Sequence, residues 1–106
     1  MTDYVNDLSS VRFEWDEAKD ESNRQKHGVS FAEARQLFQS GVEYLVIYDA
    51  DHSEVEDRFI AIGPVARGVV VVVYTEPDET VVHVLGARLA VRRERNLYEK
   101  YLDQLG

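Results

Sequence analysis

Four short runs of β-branched and aromatic residues between Val42 and Gly86 limit this chain to folds built on a sheet. They are Val42–Tyr48, Arg58–Val65, Val69–Thr75 and Thr80–Gly86. Each is strand-length and rich in side chains that pack on a pleated surface. Arg67–Gly68 and Pro77–Asp78–Glu79 are turn-like breaks, so the last three runs are expected to pair as an antiparallel meander. The break Asp49–Asp57 is polar and too long for a tight hairpin. A further alternating stretch, Val11–Trp15, reads as a short strand.

Helical signals flank these runs. Asp16 is a good N-cap for a first helix ending at His27, with Gly28 as its left-handed stop. Ala18 is the only apolar residue of that helix, so it faces solvent or serves binding. Ser30–Phe31–Ala32–Glu33 is a capping box that opens a second helix, which buries Phe31, Ala34, Leu37 and Phe38 and stops at Gly41. A third helix is expected from about Arg88 to Leu105. At about 100° per residue, Ala90, Leu97, Tyr98, Tyr101 and Leu105 share a sheet-facing arc, and Arg88, Arg92 and Arg95 lie opposite. Arg93 and Glu94 lean toward the sheet. A carboxylate there needs a partner, since losing one costs roughly 3–5 kcal/mol; Arg58 and Arg93 are the nearest candidates. The order β-α-α-β-β-β-β-α implies an α+β domain, with two N-terminal helices and a C-terminal helix packed on an antiparallel sheet. Residues 1–10 are expected to be flexible. Residues 11–106 form one domain, enough for a single core.

Charge is distributed unevenly. The net charge is −8, yet residues 58–106 carry 7 bases against 6 acids, whereas residues 1–57 carry 14 acids and 5 bases. Arg88, Arg92, Arg93 and Arg95 fall within eight residues. Grouped guanidinium ions suit planar anions such as phosphate and carboxylate. Cysteine is absent, which excludes disulfides and zinc–thiolate sites and suits a reducing compartment. The first ten residues lack the basic and apolar regions of a secretory signal, and the longest apolar run, Val69–Tyr74, cannot span a bilayer. A cytoplasmic protein without a membrane association is expected.

The motifs Phe13–Glu14–Trp15–Asp16, Asn23, Lys26–His27–Gly28–Val29–Ser30–Phe31, His52–Ser53–Glu54, Glu56–Asp57–Arg58–Phe59, Ile62–Gly63, Val73–Tyr74–Thr75–Glu76, Ala87–Arg88, Arg92–Arg93–Glu94–Arg95 and Tyr98–Glu99 occur in this order. Together they resemble the BrnT family of toxins from type II toxin–antitoxin pairs, over residues 12–101. The chain departs from the family pattern at His83, Gly86 and Val91, where arginine, serine and threonine are common. The resemblance implies a RelE-like fold and a ribonuclease that arrests translation. It also implies silencing by a BrnA-type antitoxin, a DNA-binding partner encoded beside the toxin, in a complex that represses its own operon. It further implies cleavage without metal or cofactor, by activating the ribose 2′-hydroxyl against the adjacent phosphate.

That chemistry needs a base, an acid and cations for the phosphorane. His27 and His52 are the acid–base candidates because imidazole titrates near neutrality. Lys26, offered as an RNA contact, and His27 also suit a helix C-terminus for plain electrostatic reasons. His52–Ser53 also suits a hydrogen-bonded turn. Glu54 could orient a histidine or act as base, or be merely solvated. Arg58 opens a strand among apolar neighbours, which fits either phosphate binding or a buried ion pair. Arg58, Arg88, Arg92 and Arg93 are the expected phosphate grip, with Arg95 on the same helix. Tyr74 could donate its phenol to RNA or pack in the core. Trp15 reads as a core anchor and His83 as a satisfied sheet histidine. The three histidines have no metal-ligand spacing, so no metal site is expected. The other reading is a non-catalytic module whose acidic surface docks a basic DNA-binding antitoxin.

Overall fold

A computed structural model describes residues 11–106 of the protein. The proposed flexible segment 1–10 lies outside the described residues. The elements run β1 (Arg12–Glu14), α1 (Glu17–His27), α2 (Phe31–Gln39), β2 (Leu45–Tyr48), β3 (Arg58–Val65), β4 (Gly68–Asp78), β5 (Val81–Leu89) and α3 (Arg92–Leu105). They form an α+β fold around one five-stranded sheet of order β1-β5-β4-β3-β2.

Local chemistry sets the helix ends. The Asp16 carboxylate accepts from the amides of Ala18 and Lys19, and Gly28, at φ 72°, closes α1. Ser30 Oγ accepts from Glu33 N at 3.0 Å, giving half of the expected capping box. The Glu33 carboxylate instead binds the Arg67 guanidinium at the tip of the β3–β4 hairpin, at 2.6 and 2.8 Å. Arg67 also donates to Gly28 O, so the hairpin tip is fastened to the α1–α2 turn.

The sheet is mixed, not wholly antiparallel. β2, β3, β4 and β5 form the expected meander, but β1 lies parallel to β5. The intervening helices and strands form the long crossover that parallel pairing requires. Two irregularities change the expected strand ends. β4 runs on to Asp78 because Pro77, which donates no amide proton, sits in a bulge. β5 runs on to Leu89, pairing Arg88 with Val71 and Leu89 with Val70, so Arg88 is a strand residue and the third helix starts four residues later than expected. Glu94 fixes that start by accepting from Val91 N at 2.9 Å.

The two faces of the sheet differ in cover. Phe59, Ala61, Val70, Val72, Tyr74, Val82, Val84 and Ala87 pack with Val29, Phe31, Ala34, Leu37 and Phe38 in the main core. Trp15 packs against the same core, as expected, edge-on to Phe31. Gly63 admits α2 closely, since a Cβ there would lie 2.6 Å from Leu37 Cδ1. On the other face α3 covers only part of the sheet, packing Ala90, Tyr98 and Tyr101 with Ile60, Ile62 and Val71. Leu97 and Leu105, expected in that interface, stand 45% and 54% exposed. Among the described residues no helix is long and apolar enough to cross a membrane.

The polar helix α1 is held by its own polar residues. Asn23 is buried; its amide nitrogen donates to Val29 O and Ala87 O, each at 2.8 Å, and its oxygen accepts from Ala87 N. Asp20, also buried, accepts from Phe31 N at 2.9 Å. Removing the Asn23 amide strands buried backbone groups, at roughly 1–3 kcal/mol for each. Asn23→Ala is therefore expected to lower Tm by more than about 10 °C, given about 4–8 °C per kcal/mol in a domain this size. Asn23→Asp, which keeps the volume but loses the donors, should fall nearly as far in the same thermal melt. A melt unchanged in both variants would show that this amide does not hold α1.

Candidate active site

The part of the sheet that α3 leaves open carries a polar row. Register places Arg58 of β3 beside Thr75 of β4, Thr75 beside His83 of β5, and His83 beside Glu14 of β1. The neighbours Phe59, Tyr74, Val84 and Phe13 all turn to the main core, so these four residues turn to the open face. Thr75 is 3% exposed and its Oγ1 has no hydrogen-bond partner among the described residues. His83 Nδ1 lies 3.3 Å from Glu14 Oε1.

The loop after β2 brings two of the expected residues, His52 and Glu54, to this row. Ala50–His52 form a 3₁₀ turn. The Asp49 carboxylate takes His52 Nδ1 at 2.9 Å. Ser53 Oγ donates to Asp49 O and accepts from Arg58 N, tying the loop to the start of β3. The hydrogen-bonded turn is thus real, and it presents side chains. His52, Glu54 and Arg58, with Asp51, Val55, Glu56, Thr75 and Leu85, line an open depression of about 410 Å³. Asp49, which spacing alone did not single out, is the group that orients His52; orienting a histidine was one of the alternatives open to Glu54. An ionised carboxylate only accepts, so Nδ1 donates and Nε2 is left free.

A smaller depression of about 140 Å³ lies on the same face and is lined by His27, Asn23, Val71, Val73, Gly86, Ala87 and Arg88. A bulge between Val84 and Gly86 creates it. Val84 and Ala87 both face the main core, so Leu85 and Gly86 between them both turn outward. The extra residue also aims Arg88 at the open face; without it Arg88 would enter the core. Arg88 then grips Glu94 through two hydrogen bonds of 2.7 Å. Glu94 thus has a partner, as its position demands, but the partner is Arg88, not Arg58 or Arg93. The expected stripe of Arg88, Arg92 and Arg95 does not form, because Arg88 is on a strand. Arg95 donates to Ala90 O, while Arg92 and Arg93 are exposed on the first turn of α3. Lys26 is exposed near the end of α1. Tyr74 lies in the core, fully buried against Phe38 and Phe59, and burial pushes its phenol pKa far up. Its hydroxyl is not presented to a substrate. Among the described residues no three His, Asp or Glu side chains are grouped to hold a metal ion.

The hydrogen bonds from Arg88 hold the Glu94 carboxyl below its ordinary range, against the opposing effect of burial. The folded state therefore binds this proton less readily than the unfolded chain. The resulting stability is present above the unfolded-state pKa, about 4.3, and is lost as pH falls through the lower folded value. Glu94→Gln should melt below wild type at pH 7, with the gap closing between about pH 5 and pH 3. A gap independent of pH would mean that the carboxylate charge contributes nothing.

Residues 15–94 match the family described as the ribonuclease toxin, BrnT, of type II toxin–antitoxin system. The fold is similar to the crystal structure of the Brucella abortus ribonuclease toxin, BrnT, with a TM-score of 0.60 and 25% sequence identity, covering 77% of this chain and 99% of that one. Among curated proteins no sequence matches the chain significantly. The match runs from Trp15, just after β1, to the first turn of α3, both depressions included, and the chain belongs to the BrnT family of ribonuclease toxins of type II toxin–antitoxin systems.

Proposed function

We propose that this chain is an endoribonuclease that cuts RNA without a metal ion, by driving the ribose 2′-oxygen onto the adjacent phosphate. The observation that carries this reading is the convergence of Arg58, a carboxylate-oriented His52 and Glu54 on one open depression. Arg58 supplies the cation for the phosphorane. His52, with Nδ1 fixed by Asp49, exchanges a proton through Nε2. His27 and Arg88 lie along the same face and extend the track for the RNA backbone. Arg92, Arg93, Arg95 and Lys26 are more distant phosphate contacts in this reading. Cleavage arrests translation in the bacterial cytoplasm.

A BrnA-type antitoxin silences the enzyme and carries the complex to DNA. An acidic depression of about 610 Å³ supports a basic partner: Asp57, Glu76, Asp78 and Glu79 line it beside Phe59, away from the open face. This also accounts for a charge of −8 on a protein that acts on a polyanion.

Purified protein incubated with RNA in EDTA should cut it. Arg58→Ala should cut roughly 10²–10³-fold more slowly, as expected for loss of a group stabilising the transition state, and should melt cooperatively. The same substitution should relieve growth arrest on expression without a partner. Cleavage that EDTA abolishes and a divalent ion restores would overturn the metal-independent reading. No cleavage under any condition would favour the non-catalytic docking module.

A further inference from the structure

We infer that His83 is a second proton-transfer residue of the active site, held in place by Glu14. This rests on the ribonuclease reading and assigns to it a group that the sequence had marked as a satisfied sheet histidine. Cleavage through the 2′-oxygen moves two protons. A base takes the 2′-hydroxyl proton as the 2′-oxygen–phosphorus bond forms, and an acid protonates the 5′-oxygen as its bond to phosphorus breaks, leaving a 2′,3′-cyclic phosphate. One imidazole beside Arg58 accounts for one of these transfers.

The polar row supplies another. Arg58 and His83 stand two strands apart on the same face, about 10 Å at the usual strand spacing. Between them is Thr75, a short side chain whose buried Oγ1 has no partner among the described residues. A short residue between two long ones leaves a notch, with Thr75 at its floor. His52 and His83 flank the notch from opposite sides, His52 from the loop next to β3 and His83 from β5. Both are built alike, with Nδ1 donating to a carboxylate and Nε2 left free. His83 retains 30% side-chain exposure, enough to meet a substrate.

The charged and titratable groups facing this part of the sheet are Glu14 and Arg12 of β1, His27 of α1, Arg58 of β3, Asp51, His52, Glu54 and Glu56 of the loop, and Arg88 with Glu94 where β5 meets α3. Glu14 is the one in contact with the His83 ring. It is a positioning residue: it touches the imidazole and not the reacting atoms.

The test measures RNA cleavage by wild type, His83→Ala, His83→Gln and Glu14→Gln across pH 5–9. Glutamine keeps a donor near Glu14 but does not titrate. Both His83 variants should melt as cooperatively as wild type and lose about 10²–10⁴-fold in kcat, with KM little changed. Their pH–rate profiles should lose one of the two limbs around neutrality. Glu14→Gln should keep both limbs and lose about ten- to a hundredfold. If wild type cuts RNA and folded His83→Gln cuts within about threefold of it with the same profile, the inference is overturned and the ribonuclease reading stands. If wild type does not cut, the ribonuclease reading itself has failed, and this assignment with it.

Discussion

The Asn23 amide is the interaction on which the remainder of this molecule depends. β1 pairs with β5 only as far as His83, so the following residues of β5 have a bare edge. The amide donates to one backbone carbonyl there and accepts from the same residue's N–H, as a neighbouring strand would. A side chain thereby extends the ladder where the backbone has run out. It also carries a helix that has no apolar face to dock with. Without that clamp, burial would give α1 little reason to lie on the sheet, and His27 would not be brought to the depression it shares with Arg88.

Which face is left open, and what it carries, follows from unequal cover and one inserted residue. Helix α2 closes one side of the sheet, and α1 is clamped along the β5 edge. The single helix α3 cannot close the other, because one helix is narrower than five strands. The bulge at Leu85 then decides what the uncovered part contains. It keeps Val84 and Ala87 inward while turning Leu85, Gly86 and Arg88 outward, so a valine-rich strand gives a guanidinium to the surface without breaking the core. Arg88 positions the first turn of α3 through its paired bonds to Glu94.

Much of this was legible in the amino-acid order, and the reasons for the rest are physical. Caps are local, so Asp16, Gly28 and Ser30 mark helix ends within a residue. Strand existence was legible because β-branched runs with turn residues between them have few other uses. The parallel placement of β1 was not, since nothing near Phe13 indicates a partner 69 residues away. Arg88 was assigned to a helix because Arg88–Val91 fits either period. The decision came from Val70 and Val71, which offer the segment a strand to pair with. Arg58, His52 and Glu54 stood out because charged or titratable groups beside a strand are conspicuous. Thr75 did not, because its place between Arg58 and His83 comes from strand pairing, which only three dimensions reveal.

The parallel pairing of β1 with β5 also orders events in time. Glu14 and His83 are 69 residues apart, and the contact between them spans most of the chain. Such non-local closures are slow, because a long loop must be ordered before any contact compensates it. On the ribosome the constraint is stricter. The first strand emerges early and has no edge to join until the last strand has left the exit tunnel, after β2, β3 and β4. The open face is therefore assembled last, and a nascent chain halted before β5 holds most of the core but only part of the polar row.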